Sequence, residues 1–161
     1  MELPEEVINE ARRRGIDVVD LVINAISRYD PMAGIKVRVE LAKRYLEKSK
    51  EYLKRNDAAQ ASEKAYKAVE ECIKALAEKY NTPEYNEAAR EGRWYTHLLQ
   101  RASNTLASTL GDWVAVGWAS AYALHVWGFH EVKLSVSDMT VYMKVIEDTV
   151  NKAIEILTHN A

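Results

Sequence analysis

Hydrophobic and polar positions along this chain recur every three or four residues, and nowhere alternate with a period of two over a convincing length. From about Ile35 to Arg55, Ala42, Tyr45, Ser49 and Tyr52 line one helical face, and Leu41, Leu46 and Leu53 widen it. Lys43, Arg44, Lys48, Lys50 and Lys54 fill the remaining positions. Asn56-Asp57 is a turn signal. A second long helix is predicted from there to about Tyr80, with Ala61, Ala65, Ala68, Val69, Cys72, Ile73 and Leu76 facing inward. A turn this short makes the two helices antiparallel neighbours, and so many small residues at the contact bring their axes close together. The last helix begins near Ser137, where Met139, Tyr142, Ile146, Val150, Ala153 and Leu157 form one clean stripe.

The segment Asp112–Glu131, DWVAVGWASAYALHVWGFHE, breaks this amphipathic rule, because apolar residues cover it on every side. Trp118, Tyr122, His125 and Phe129 hold one stripe. Val114, Gly117, Ala121, Leu124 and Gly128 hold a second, and Trp113, Val116, Ser120, Ala123 and Trp127 a third. A helix apolar all round belongs in a core or a membrane. A span needs ~20 apolar residues, and His125, Ser120, Tyr122 and two glycines argue against one here. The segment is therefore read as a buried helix around which the rest packs, with Asp112 as its cap and Gly128 as its end.

Before the long hairpin, Leu3-Pro4-Glu5-Glu6 marks a helix start, and Arg12-Arg13-Arg14 followed by Gly15 marks its stop. A short helix from Asp17 carries Val18, Leu21, Val22, Ala25 and Ile26 and ends at Tyr29-Asp30-Pro31. Residues 1–31 thus read as an N-terminal helical arm and 32–161 as the main helical bundle. Pro83, Gly92 and mixed polar residues between Asn81 and Arg93 read as a flexible loop. Trp94 then opens a helix with Tyr95, Leu98, Leu99, Ala102, Leu106 and Leu110 inside, closed by Gly111. The class is all-α.

Size and composition narrow the possibilities. At 161 residues the chain can bury a single substantial core. One cysteine, Cys72, excludes an internal disulfide and a cysteine-based zinc site, and its apolar neighbours make it a packed thiol. The opening MELPEEV has neither the basic start nor the apolar run of a signal peptide, so the expected location is cytoplasmic. A net charge of −2 with interspersed signs argues against bulk DNA binding. Charged residues at 29% and only two glutamines fit a thermophile's composition. The apolar central helix and the arm together offer more apolar surface than one small bundle covers, so a homodimer is expected.

The hairpin LAKRYLEKSKEYLKRNDAAQASEKAYKAVEECIKAL, residues 41–76, resembles the opening hairpin of HEPN domains, four-helix proteins many of which bind or cut RNA. The stretches LPEEVINEARRRGIDVVDLV, VRVELAKRYLEKSKEYL and ALHVWGFHE resemble the archaeal PaREP family, itself HEPN-like, over nearly the whole chain. The resemblance implies an antiparallel HEPN-like four-helix bundle, and by analogy a toxin–antitoxin or defence connection. It carries over no established reaction. The RNA-cutting HEPN pattern is an arginine, four to six residues and a histidine late in the domain, and no arginine stands before His125. Arg90 and His97 meet the spacing only at a loop-to-helix boundary.

The candidate catalytic residues are therefore His125, His130, Arg90 and His97, none of them assigned. Trp118, Tyr122 and Glu131 are the candidate binding residues. A histidine within an aromatic stripe is ordinarily a hydrogen-bonded core residue, although imidazole can also exchange protons near neutral pH. A metal site would require His97 or Glu131 to approach His125 and His130, so neither metal nor cofactor is assigned. Glycine-rich phosphate loops, GxSxG and HExxH are absent from the sequence. These features favour a non-catalytic module acting through RNA or a protein partner. The alternatives are a metal-independent ribonuclease using the histidines and arginine, and a tetratricopeptide-like helical scaffold.

Overall fold

The structure, a computed structural model, describes residues 1–159, all helix and connecting turn with no strand among them. The helices run α1 Glu5–Arg13, α2 Val18–Tyr29, α3 Pro31–Lys54, α4 Ala58–Lys79, α5 Pro83–Glu91, α6 Thr96–Leu110, α7 Trp113–Ala123 and α8 Val136–Thr158. A π-helix, Leu124–His130, continues directly from α7. No helix among the described residues is long and apolar enough to cross a membrane.

Local chemistry sets most of the boundaries. Asp17, Asp30, Asp57 and Thr82 each accept a backbone N–H from the first turn of α2, α3, α4 and α5, satisfying donors that the helix itself cannot. Pro31 and Pro83 occupy first-turn positions where no N–H is needed. Ser135 and Asp138 form a reciprocal capping box at α8. Two expectations fail here. Asp112 precedes α7 in helical conformation and makes no side-chain cap. The loop expected over 81–93 is instead α5, because the Thr82 cap, Pro83 and a left-handed Gly92 (φ 77°) supply a complete start and stop to a nine-residue helix.

The core is built on α4, against which α3, α6, α7, the π-helix and α8 all pack. Ala42 on α3 and Ala61, Ala65, Ala68, Ala75 and Ala77 on α4 are fully buried, and their small side chains let the backbones approach closely. Glycine permits further close approaches. A Cβ on Gly117 would lie 2.2 Å from Thr149 Oγ1, and one on Gly128 would lie 2.0 Å from Ser62 Oγ. Val69, Ile73, Leu76, Leu106, Trp118, Leu124, Met139 and Ile146 fill the interior.

The Asp112–Glu131 segment is central but not enclosed on every side. Val114, Gly117, Trp118, Ala121, Leu124 and Gly128 are buried, whereas Val116 and Trp127 are each 53% exposed and Tyr122 lies at the surface. Gly128 does not end it, since the π-helix runs on to His130 with Gly128 pressed against α4. The arm is anchored through α2, whose Asp20, Ile23 and Ser27 are buried against the bundle. Along α1 only Ala11 is buried.

Candidate functional site

His130 stands five positions after His125 in the sequence. On an α-helix such residues diverge by roughly 140°, since 3.6 residues complete a turn. A π-helix closes i→i+5 hydrogen bonds and brings them back toward one face. The backbone follows that pattern here, with Glu131 N–H donating to the Val126 carbonyl at 2.8 Å. As a result His125 Nε2 and His130 Nε2 stand 3.1 Å apart, with the two rings nearly perpendicular at 84°.

The other nitrogen of His125 meets a carboxylate. Nδ1 lies 2.9 Å from Glu63 Oε2 on α4, and the side chains are 21% and 13% exposed respectively. A carboxylate can only accept, so Glu63 places a proton on Nδ1 and leaves Nε2 of a neutral His125 as the acceptor facing His130. Tyr66, one turn along α4 from Glu63, stacks on His125 with ring centroids 4.1 Å apart. Phe129 and Tyr122 complete the aromatic surround at 6.4 and 6.1 Å. Burial pushes the Tyr66 phenol far above the ordinary range, and nearby Glu70 and Glu63 add to it, so the ring remains a neutral wall. The arrangement is a carboxylate–imidazole–imidazole chain that ends at an exposed residue, His130.

Beside this chain the α3–α4 hairpin carries a basic cluster. The Lys64 and Lys67 ammoniums both lie 5.8 Å from the centre of the Tyr45 ring. Partial burial lowers the pKa of Lys64, and the positive charges of Lys67 and Lys48 lower it further. Like charges held together in this way are relieved by an anion.

A second polar cluster lies inside the fold. Arg38 on α3 joins Asp20 at 2.8 Å and Glu71 at 2.7 Å, while Lys74 on α4 joins Asp20 at 2.6 Å and Glu70 at 2.9 Å. Arg38 and Lys74 are only 2% exposed. Burial penalises the Asp20 carboxylate, but Lys74 and Arg38 outweigh it and hold the group below its ordinary pKa. Glu71 goes the other way: burial dominates, Arg38 and Lys74 do not fully offset it, and its pKa is raised. This network fastens α2 to the hairpin.

The remaining candidates fall elsewhere. Trp118 is fully buried and donates its indole N–H to Gln100 at 2.8 Å, so it builds the core. Tyr122 is 40% exposed beside His125, and Glu131 is exposed just beyond the π-helix. Arg90 is exposed near the end of α5. His97, exposed in the first turn of α6, stacks at 5.6 Å on Tyr95, which in turn carries Arg93 at 4.3 Å from its ring centre. No contact among the described residues joins Arg90 or His97 to the histidine pair. The carboxylate that does reach His125 is Glu63, which sequence reasoning passed over. Its only signal was the spacing of Glu63, Tyr66, Glu70 and Lys74 along one side of α4. Among the described residues no group of three or more His, Cys, Asp or Glu side chains is placed to hold a metal ion. Cys72 is enclosed, with burial pushing its thiol well above the usual range.

Residues 37–150 match the model of the archaeal PaREP1/PaREP8 family. The chain is also similar to a protein of Sulfolobus solfataricus seen in a crystal structure, at 36% identity and a TM-score of 0.68, over 73% of this chain and 97% of that one. A solution structure of the same structural-genomics target gives 35% identity and a TM-score of 0.66, over 75% and 94%. No curated protein matches the chain.

Proposed function

The chain belongs to the archaeal PaREP1/PaREP8 family, and we propose that it is a HEPN-like helical module that binds RNA through its α3–α4 face without cutting it. The HEPN-like part is supported by the long antiparallel hairpin, with α7, the π-helix and α8 packed against it. The observation that carries the RNA reading is the convergence of Lys64 and Lys67 on Tyr45, in a chain whose net charge is slightly negative. Local lysines suit backbone phosphates, and the adjoining aromatic surface suits unpaired bases. What speaks against cutting is that the side chains found against His125 among the described residues are Glu63, Tyr66, Tyr122, Phe129 and His130, and none of these is an arginine or lysine that would stabilise a developing phosphorane.

The test is fluorescence anisotropy with labelled single-stranded RNA at several salt concentrations. Binding that weakens with salt, and weakens at least tenfold in Lys64→Glu/Lys67→Glu, is the expected result. RNA binding indifferent to that double change overturns the assignment of the face, and absence of binding transfers the proposal to a protein partner. One observation favours a second reading, metal-independent RNA cleavage: the Glu63–His125–His130 chain can accept and pass a proton. Cleavage by the wild type that disappears in His125→Ala would promote it.

The working unit is proposed to be a homodimer joined through the arm. Val7, Ile16, Leu21 and Val22 are all more than 40% exposed and line one apolar channel between α1 and α2. Light scattering is expected to give twice the 18.3 kDa chain mass, falling to the monomer in Leu21→Asp. A monomeric wild type would remove this part of the proposal alone.

A further inference from the structure

We propose that His125 and His130 form a chelating site for a late first-row divalent metal ion, of the zinc, nickel or copper type, built by the π-helix and held by Glu63. The inference is independent of RNA binding. It starts from the 3.1 Å separation of the two Nε2 atoms. Two imidazoles bound to one zinc ion at ~2.0–2.1 Å place their nitrogens about 3.3 Å apart in tetrahedral geometry, and adjacent ligands of an octahedral ion stand about 3.0 Å apart. The observed spacing lies between these values.

Three features make the pair more than two histidines in hydrogen-bond contact. Glu63 accepts from His125 Nδ1 at 2.9 Å, which keeps the proton off Nε2 and fixes the ring. A carboxylate behind a ligating histidine is the usual outer support of a metal site. Tyr66, stacked at 4.1 Å, restricts the same ring from its face. His130 is exposed, so it can turn its Nε2 lone pair toward the ion, and its tautomeric proton then rests on Nδ1. Water completes the coordination, since no third protein ligand converges here among the described residues. Imidazole nitrogen with water selects this class of cation over magnesium or calcium, which prefer an all-oxygen shell.

Isothermal titration of the full chain with zinc chloride, repeated with magnesium chloride, tests the site. One zinc ion per chain and no magnesium uptake are expected. His125→Ala and His130→Ala should each weaken zinc binding more than tenfold, while His97→Ala and His159→Ala leave it unchanged. Glu63→Gln keeps both ligands and should weaken zinc binding roughly 10- to 100-fold by releasing the His125 ring. Because His130 is exposed, His130→Ala also guards against a false result from misfolding at His125. Zinc uptake unchanged in His130→Ala, or no stoichiometric uptake by the wild type, overturns the proposal.

Discussion

Gly128 sits so close to Ser62 that a methyl group on it would lie 2.0 Å from the serine Oγ and 2.5 Å from its Cβ. Ser62 is itself fully buried, and its hydroxyl donates to the Ala58 carbonyl at 2.7 Å. Its neighbour in sequence, Glu63, holds His125. The contact therefore sets how the π-helix seats on α4 and, through it, where the histidine pair stands.

Gly128→Ala is expected to destabilise the fold by about 1–3 kcal/mol, since neither Ser62 nor the α4 backbone can withdraw. For a domain of this size that amounts to roughly 2–12 °C in Tm by calorimetry. Partial recovery in Gly128→Ala/Ser62→Gly would tie the loss to this one contact. An unchanged melting temperature in the single variant would mean that the two elements are less tightly apposed.

The buried charge network predicts an asymmetry. Asp20→Ala strips both Arg38 and Lys74 of a shared partner and is expected to cost about 3–5 kcal/mol in urea unfolding. Glu71→Gln should cost much less, because burial already raises the carboxyl's pKa and makes its ionised form unfavourable. Similar losses in the two variants would contradict the assignment of Asp20 as the hub.

A pH dependence follows with a definite sign. The pKa of Asp20 is depressed in the fold, so its contribution is present above the ordinary value of 3.8 and is lost as pH falls through the lower folded value. Glu71 acts oppositely: its raised folded pKa penalises the native state above 4.5 and relieves it as pH falls. Asp20→Asn should therefore flatten the stability curve below about pH 4, and Glu71→Gln should flatten it above that value, as read from unfolding midpoints between pH 2 and 7. If Asp20→Asn leaves the acid limb as steep as in the wild type, the ion pairs are not formed in solution.

Val132, just past the π-helix, adopts φ 51°, a left-handed conformation that β-branched residues avoid. The turn is closed by Lys133 N–H donating to the Trp127 carbonyl at 2.8 Å. Asn tolerates this conformation, so Val132→Asn is expected to stabilise the protein by roughly 0.5–1 kcal/mol. A lower Tm in that variant would argue that the 63% exposed side chain makes contacts outweighing the strain.

Core and surface substitutions should separate clearly. Leu124 is fully buried, and Leu124→Ala should cost about 2–5 kcal/mol by leaving a cavity. Lys50 pairs with Glu147 at 3.2 Å across α3 and α8, but both side chains are about 40% exposed, so Lys50→Ala should cost about 0–1 kcal/mol. Equal melting temperatures would refute the placement of the central helix.

Periodicity by itself determined the all-α class, the α3–α4 hairpin with its alanine contact, the α8 stripe and the burial of Cys72 and Leu124. Each depends on residues within a few turns of one another, and the hydrophobic face is written directly in their spacing. Tertiary structure decided the rest. The spacing of residues near Arg38 and Lys74 does not show that they are buried, because burial of a charge depends on a partner, and Asp20 lies 18 and 54 residues away from them. Glu63 is 62 residues from His125, and nothing local to either joins them. His125 and His130 look unrelated on an α-helix of 3.6 residues per turn, and only a π turn, seated where Gly128 admits Ser62, brings their nitrogens together.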